Sequence, residues 1–305
     1  MCLVLGAGVL ASQGGQQAPV FRGVGESVPV FVTVTDKNNR LVSGLTRDDF
    51  QVFDNGKAQP ITVFDNTPQP VRIVVMLDVS GSMYGNLPLL RAGCEQLFTR
   101  LLPGDKARVG TFGREVTISP AFTNDVAELR AALPAGIERD APTPLWKGLD
   151  QAMEALAGAD GRRVVLVLSD GKDFPGFRRF GEKLFSQLEI IERGQREEVM
   201  IYGIGLHSRG GTPMGGNIRD MLVADLPDPA LGTTALETGG GYFEIRPRDD
   251  LGAAFARVAE ELHSQYLLGF APPLRDGKRH KIEVKLANKD LKPRARRNYV
   301  AARDK

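Results

Sequence analysis

Asp78, Ser80 and Ser82 stand at alternate positions directly after the apolar run Val74-Val75-Met76-Leu77. One carboxylate and two hydroxyls at that spacing gather hard oxygen donors, which suit Mg2+ or Ca2+ rather than zinc. The same D-x-S-x-S pattern also arises where Ser and Asp cap a helix after a strand. Two further stretches carry matching chemistry. Thr143, in Pro142-Thr143-Pro144-Leu145, precedes a helical pattern and reads either as its N-cap or as a third hydroxyl ligand. Asp170, in Ser169-Asp170-Gly171, ends a second apolar run, 164–168.

These residues can meet only if the elements carrying them end at one edge. A short apolar run closed by small polar residues reads as a buried parallel strand whose carboxyl end opens into a loop. In an open α/β sheet, ligands bind beyond those carboxyl ends, where the strand order reverses. The pattern from Arg72 onward fits such a sheet. It predicts a strand through Leu77, a helix at about 87–102 with Leu89, Leu90, Leu97, Phe98 and Leu101 facing inward, and strands at 106–112 and 116–118. The last is joined too tightly for a crossover and should be an antiparallel edge. Helices are predicted at 126–133, 144–157, 180–194, 231–238 and 249–263, and strands at 164–168, 199–205 and 241–245. The fold class is therefore α/β, a doubly wound, mostly parallel, Rossmann-like sheet.

Alternating, turn-rich segments flank this unit. Strands are expected at 28–35, 61–64, 265–270, 280–286 and 294–300, with turns at Asp36-Lys-Asn-Asn-Arg and Asp54-Asn-Gly. Neither flank has enough strands to bury a core alone. Both chain ends should therefore combine into one small, sandwich-like β-domain into which the α/β unit is inserted. The expected organisation is 1–19 leader and linker, 20–71 first β part, 72–263 α/β domain and 264–305 second β part. The basic stretch 278–297 reads as a solvated outer face with edge protection.

With 305 residues and a formal charge of +2, the chain gives no whole-molecule reason to expect nucleic acid or an acidic membrane as partner. Residues 1–11 are apolar and 12–17 polar, like the tail of a secretory signal without its basic start, with Val9 and Ala11 where a signal peptidase accepts them. The expectation is export to the periplasm, cell surface or medium. No stretch is long enough for an integral membrane segment. With the leader and its Cys2 removed, Cys94 has no disulfide partner and reads as a small buried hydrophobe.

Asp78-x-Ser80-x-Ser82, Thr143 ahead of Pro-Leu, and Ser169-Asp170-Gly171 together resemble the complete metal-ion-dependent adhesion site of von Willebrand factor A domains, across about 72–263. The resemblance implies that Ser80, Ser82 and Thr143 are direct ligands, with Asp78 and Asp170 bonding directly or through water. It implies Mg2+ (or Ca2+ or Mn2+), a non-catalytic role, and an unknown protein partner whose acidic residue completes the coordination. Thr35-Asp36-Lys37, Gly44-Leu45-Thr46-x-x-Asp49-Phe50 and Gln265-Tyr266-x-Leu268-Gly269-Phe270 further resemble a bacterial von Willebrand factor A-related group abundant in Acidobacteria.

The loops that follow the strands would rim such a site, with Tyr84, Lys172, Asp173, His207 and Arg209 as candidates. The glycine-rich stretch after His207 lacks the Gly-Lys-Ser/Thr ending of a phosphate cradle. Asp173 and Asp220 read as supplementary ligands or solvated loop acids, His207 as a surface residue, His263 as a helix-end cation and Trp146 as a packing anchor. Two other functions stay open. A phosphatase could use Asp78 as nucleophile beside Mg2+, although Ser80 stands where the usual second aspartate would be, and a serine hydrolase would need a Gly-x-Ser-x-Gly that is absent. A structural assembly protein could retain the site as a vestige.

Overall fold

The computed structural model describes residues 27–174, 183–207, 226–246 and 249–303. The chain enters through β1 (Val28–Thr35), β2 (Phe50–Asp54), β3 (Lys57–Gln59) and β4 (Val63–Asp65). Asn55 and Gly56 both take positive φ, the backbone that a two-residue hairpin turn between β2 and β3 requires. The α/β unit follows: β5 (Val71–Asp78), α1 (Leu87–Phe98), β6 (Lys106–Phe112), β7 (Val116–Ile118), α2 (Val126–Ala131), α3 (Leu145–Ala155), β8 (Arg162–Ser169), α4 (Gln187–Arg196), β9 (Val199–Leu206), α5 (Pro229–Glu237), β10 (Tyr242–Ile245) and α6 (Leu251–His263). The chain closes with β11 (Tyr266–Phe270), β12 (Arg279–Leu286), β13 (Lys292–Arg294) and β14 (Asn298–Val300).

Six strands form the central sheet in the order β10-β9-β8-β5-β6-β7, all parallel except the edge strand β7. Every residue of β5 is buried, which explains its unbroken apolar run. Alternate side chains serve opposite faces. Ile73, Val75 and Leu77 pack with Leu90, Leu97 and Phe98 of α1 and Phe255 and Val258 of α6. Val74 and Met76 pack with Leu145, Leu149 and Met153 of α3 and Ile190 of α4. Helices thus cover both faces, as a doubly wound sheet requires.

The two chain ends build two four-stranded antiparallel sheets, β13-β1-β11-β4 and β14-β12-β2-β3. Val30, Val32, Phe50, Val52, Leu268, Phe270 and Ile282 fill the core between them. The two segments are hydrogen-bonded into common sheets because neither has enough strands alone. His280, buried here, has Asp54 at 3.0 Å from Nδ1 and Asp276 at 3.2 Å from Nε2, while the Tyr299 hydroxyl donates to Asp54.

Several boundaries differ from the sequence expectation. Leu89 is 55% exposed, not inward, because α1 buries the Leu90, Cys94, Leu97 stripe and Leu89 lies one step, about 100°, off it. The helix ends at Phe98 rather than 102, where the Thr99 hydroxyl bonds the Glu95 carbonyl. The helix expected at 180–194 begins at Gln187, stopped by a capping box in which Ser186 and Glu189 bond each other's backbone N–H. The strand expected at 61–64 is shifted to Val63–Asp65 by its pairing with β11. The single strand expected at 294–300 is two strands, β13 on β1 and β14 on β12, with the chain crossing between sheets. At that crossing Arg294 and Arg296 turn inward to Glu261 and Glu198, so this part of the basic stretch is not a solvated face.

Asp105 ties the lower edge of the α/β unit together. Its carboxylate accepts the Val71 N–H at 3.0 Å and the Leu102 N–H at 2.9 Å, and lies 2.7 Å from His263 Nε2 at the end of α6. Burial would raise its pKa, but the His263 and backbone hydrogen bonds together hold it below the usual carboxylate range. A folded-state pKa below the unfolded value of about 3.9 gives stability that is present above that value and lost as pH falls through the folded pKa. Asp105→Asn should therefore lose about 2 kcal/mol at neutral pH and much less near pH 3, as measured by urea unfolding at both pH values. An equal loss at both would show that the charge contributes nothing.

Candidate metal centre

Leu77 pairs with Leu168, so Asp78 and Ser169 come next on adjacent parallel strands. The sheet order reverses here: from β5 the chain goes first to β6 and later returns to β8 on the other side. The Ser169 hydroxyl donates to Asp78 Oδ2 at 2.6 Å, and the Ser80 N–H donates to Asp78 Oδ1 at 2.9 Å. Asp78, Ser80 and Asp170 are buried, whereas Ser82 is exposed with its Oγ 3.1 Å from Ser80 Oγ. Hence only Ser82 of the two serines is exposed, beside a buried carboxylate.

Backbone contacts bring the third stretch in. The Gly81 N–H donates to the Ala141 carbonyl at 3.1 Å, and Thr143 exchanges hydrogen bonds with Phe174, at 2.7 and 2.8 Å. Segment 141–143 is thereby tied to both the Asp78 loop and the loop after Asp170. A Cβ on Gly81 would stand 1.8 Å from the Arg139 carbonyl, so only glycine permits this approach. Gly171 takes φ +77°, and the Asp228 N–H bonds the Asp170 carbonyl at 3.1 Å.

Thr143 is not the helix cap. Pro144 occupies the N-cap of α3 without a side-chain bond, and Asp173 Oδ1 accepts the Trp146 N–H at 3.3 Å instead. Asp173 is accordingly not a solvated loop acid. It is partly buried at the start of α3, and that burial raises its carboxyl pKa. Ser169 and Arg139 were not anticipated as contributors; the first lay in plain sight beside Asp170, the second in a loop without a pattern.

The electrostatics follow from burial. Loss of water pushes Asp78 up to about 7; hydrogen bonds from Ser169 and Ser80 oppose this, and the Asp170 charge adds to it. A divalent cation shared with Asp170 would offset that penalty. Two carboxylates and three hydroxyls, if brought together, would make a hard donor set near charge balance for a divalent ion. Among the described residues no three His, Cys, Asp or Glu side chains converge as a metal group, so any metal here depends on the hydroxyls.

At the rim, Tyr84 is 54% exposed, bonded by the Arg139 guanidinium at 2.8 Å, with that cation 4.2 Å from its ring centre. Phe174, 68% exposed, stands beside Thr143 and was not anticipated. Lys172 donates its backbone N–H to Asp170 Oδ1 at 3.3 Å. His207 is largely covered and 2.5 Å from Glu244, an arrangement that replaces the expected surface residue. Its neighbour on β10 supplies the partner that strand pairing brings alongside. Arg209 and Asp220 lie outside the described residues. Trp146 and Cys94 are buried, as their packing roles require.

Residues 73–172 match the family model for the von Willebrand factor type A domain. No curated protein matches the chain. Among solved structures, a von Willebrand factor type A protein from Catenulispora acidiphila aligns at 13% identity and TM-score 0.47, covering 92% of this chain and 74% of that one. An aerotolerance-related membrane protein from Bacteroides fragilis aligns at 15% identity and TM-score 0.46, covering 63% and 98%. Proximal thread matrix protein 1 from the mussel byssus, with a zinc-occupied MIDAS motif, aligns at 19% identity and TM-score 0.47, covering 70% of this chain and 50% of its own.

The Gly81 contact generates a direct test. Gly81→Ala should force the Asp78 loop from the Arg139 carbonyl and lower stability by about 2 kcal/mol. Gly136→Ala, with nothing within 4 Å of the added carbon, should change it by less than about 0.5 kcal/mol. Thermal unfolding of both variants decides. Equal midpoints would mean that the two loops are not in contact.

Proposed function

We propose that the chain is a non-catalytic, divalent-metal-dependent protein-binding module of the adhesion or assembly type. Asp78, Ser80, Ser82, Thr143 and Asp170 would hold the ion, Mg2+ or else Ca2+ or Mn2+, as an intact metal-ion-dependent adhesion site. One observation carries this reading: three stretches distant in sequence are pinned together at the switch point of the sheet by the Ser169–Asp78, Gly81–Ala141 and Thr143–Phe174 bonds. A bound ion supplies Lewis-acid attraction for a carboxylate of a partner. The chain's own residues do the rest: Ser169 and the Ser80 N–H fix the Asp78 rotamer, and Tyr84 and Phe174 offer apolar surface beside the hydroxyls.

The non-catalytic reading is supported by the state of Asp78. Both of its oxygens already accept a hydrogen bond, which suits a held ligand better than an attacking nucleophile. We further propose export, on the strength of the leader-like residues 1–11. Among the described residues no helix is long and apolar enough to cross a membrane.

Calorimetric titration with Mg2+, Mn2+ and Ca2+ tests the site. Wild type should bind, Asp78→Ala and Asp170→Ala should show no isotherm, and Thr143→Ala should bind about tenfold more weakly, a loss of about 1.4 kcal/mol. A flat wild-type isotherm with all three ions would sink the adhesion-site reading.

Function is tested separately by capture from a native envelope fraction with and without chelator. Partner recovery should be lost with chelator and with Asp170→Ala. Metal-dependent turnover of a phosphoester panel that Asp78→Ala abolishes would favour the enzyme instead.

A further inference from the structure

The turn that carries Ser82 is held at both ends by one residue. Gly81–Met83 is a single 3-10 turn, closed by the Tyr84 N–H bonding the Gly81 carbonyl at 3.2 Å. At its start the Arg139 carbonyl lies so near Gly81 that an added Cβ would stand 1.8 Å away. At its end Arg139 Nη2 donates to the Tyr84 hydroxyl at 2.8 Å, and the guanidinium lies 4.2 Å from that ring's centre. Ser82 stands in the chain between these two points, and Ser82, Tyr84 and Arg139 are all exposed.

The charge of this arginine is not spent within the chain. Among the described residues no carboxylate lies within ion-pair distance of Arg139, and its hydrogen bond goes to a hydroxyl. The neighbouring Glu138 is taken by Arg114 instead, at 2.7 Å. A guanidinium carries several N–H donors in a planar fork that matches a carboxylate, and one bond to Tyr84 leaves the rest of that fork to an outside acceptor. Stacking on the Tyr84 ring restricts the side chain before anything binds, so less freedom is lost on capture than for an untethered surface arginine. Charge gives the fork a task. Asp78 and Asp170 would balance a divalent ion between them, so an acid arriving from a partner brings an excess negative charge to this edge of the sheet. A cation fixed against the same turn would offset it.

We propose that Arg139 is the residue by which this surface selects its partner: its guanidinium, held in place by Tyr84, takes the carboxylate of an acidic side chain of a partner protein at the Ser82 turn. The ion's share in that capture rests on the adhesion-site reading above, whereas the Arg139 contact is made by the chain itself. An amide in place of the acid would gain little from it, because a charge-assisted, two-pronged hydrogen bond needs the carboxylate.

The test is binding of the full chain to poly-L-glutamate immobilised on a biosensor, in Mg2+ and in chelator, over a series of salt concentrations. Arg139→Gln should weaken binding in Mg2+ about tenfold and flatten its salt dependence. Arg139→Lys, which keeps the charge and loses the fork, should recover part of the affinity and the salt dependence, a recovery that a merely structural arginine would not show. Calorimetric Mg2+ binding should be the same in both variants as in wild type. Wild-type binding that is equal in Mg2+ and chelator, yet still weakened by Arg139→Gln, would support the role of Arg139 and count against the metal reading. Equal affinity of wild type and Arg139→Gln in Mg2+, no binding of the polymer by wild type, or a loss of affinity with unchanged salt dependence would each overturn the proposal.

Discussion

The pairing of β5 with β8 is the constraint on which the structure depends. Parallel strands fix register residue by residue, and slipping one strand by a single position would turn its side chains to the opposite face. With Leu77 opposite Leu168, the two apolar runs end together, and the first polar residue of each, Asp78 and Ser169, meet in a hydrogen bond. The apolar alternation that buries Ile73 and Val75 against one helical layer and Val74 and Met76 against the other is therefore the same alignment that assembles the candidate metal donors. Core and site are not separable here. A substitution that shifted the register for packing reasons would also separate Asp78 from Ser169.

The junction between the two parts of the chain follows a different logic. Its contacts are polar and buried: Gln265 receives Arg162 and donates to Thr33 and Tyr202, and Glu261 holds Arg294. Buried ion pairs and amide networks add little net stability over an apolar interface, because desolvation offsets their attraction. They do demand one geometry, since every donor left unmatched carries a penalty. The junction is thus better suited to fixing how the sandwich sits on the sheet than to holding it there strongly. Hydrophobic cohesion comes from the separate cores on either side.

Much of this was legible in the sequence, and the limits are physical. Burial on both faces wrote the strands β5, β8 and β9 as continuous apolar runs, so their existence and parallel pairing could be read directly. The stretches that meet at the sheet edge were legible because polar residues close the apolar runs there. Boundaries set by side-chain hydrogen bonds were less so. The Ser186–Glu189 capping box carries a recognisable S-x-x-E spacing, whereas the exchange between sheets at 295–297 depends on a register that local pattern does not contain. Arg294 and Arg296 were read as solvated because composition reports charge, not the distant Glu261 and Glu198 that receive it. His207 failed for the same reason, since Glu244 lies on a neighbouring strand.

Asp173 shows how two acids three residues apart are assigned different work. Both follow β8, and sequence alone offered both as ligands. Asp173 reaches the Trp146 N–H at the buried start of α3, where unpaired backbone donors and the helix dipole favour an anion. Thr143 is consequently not required as a cap, and Pro144 at that position has no side-chain donor or acceptor to compete. The cap is thus supplied from the loop that Asp170 begins, and the Thr143–Phe174 bridge holds that loop against the helix start. Asp170, nearer the strand end and bonded through its carbonyl to Asp228, acts on Asp78 through its charge. The separation of roles follows chain position: the acid directly after the strand acts on the buried carboxylate through its charge, and the acid three residues later satisfies a backbone donor at the start of α3.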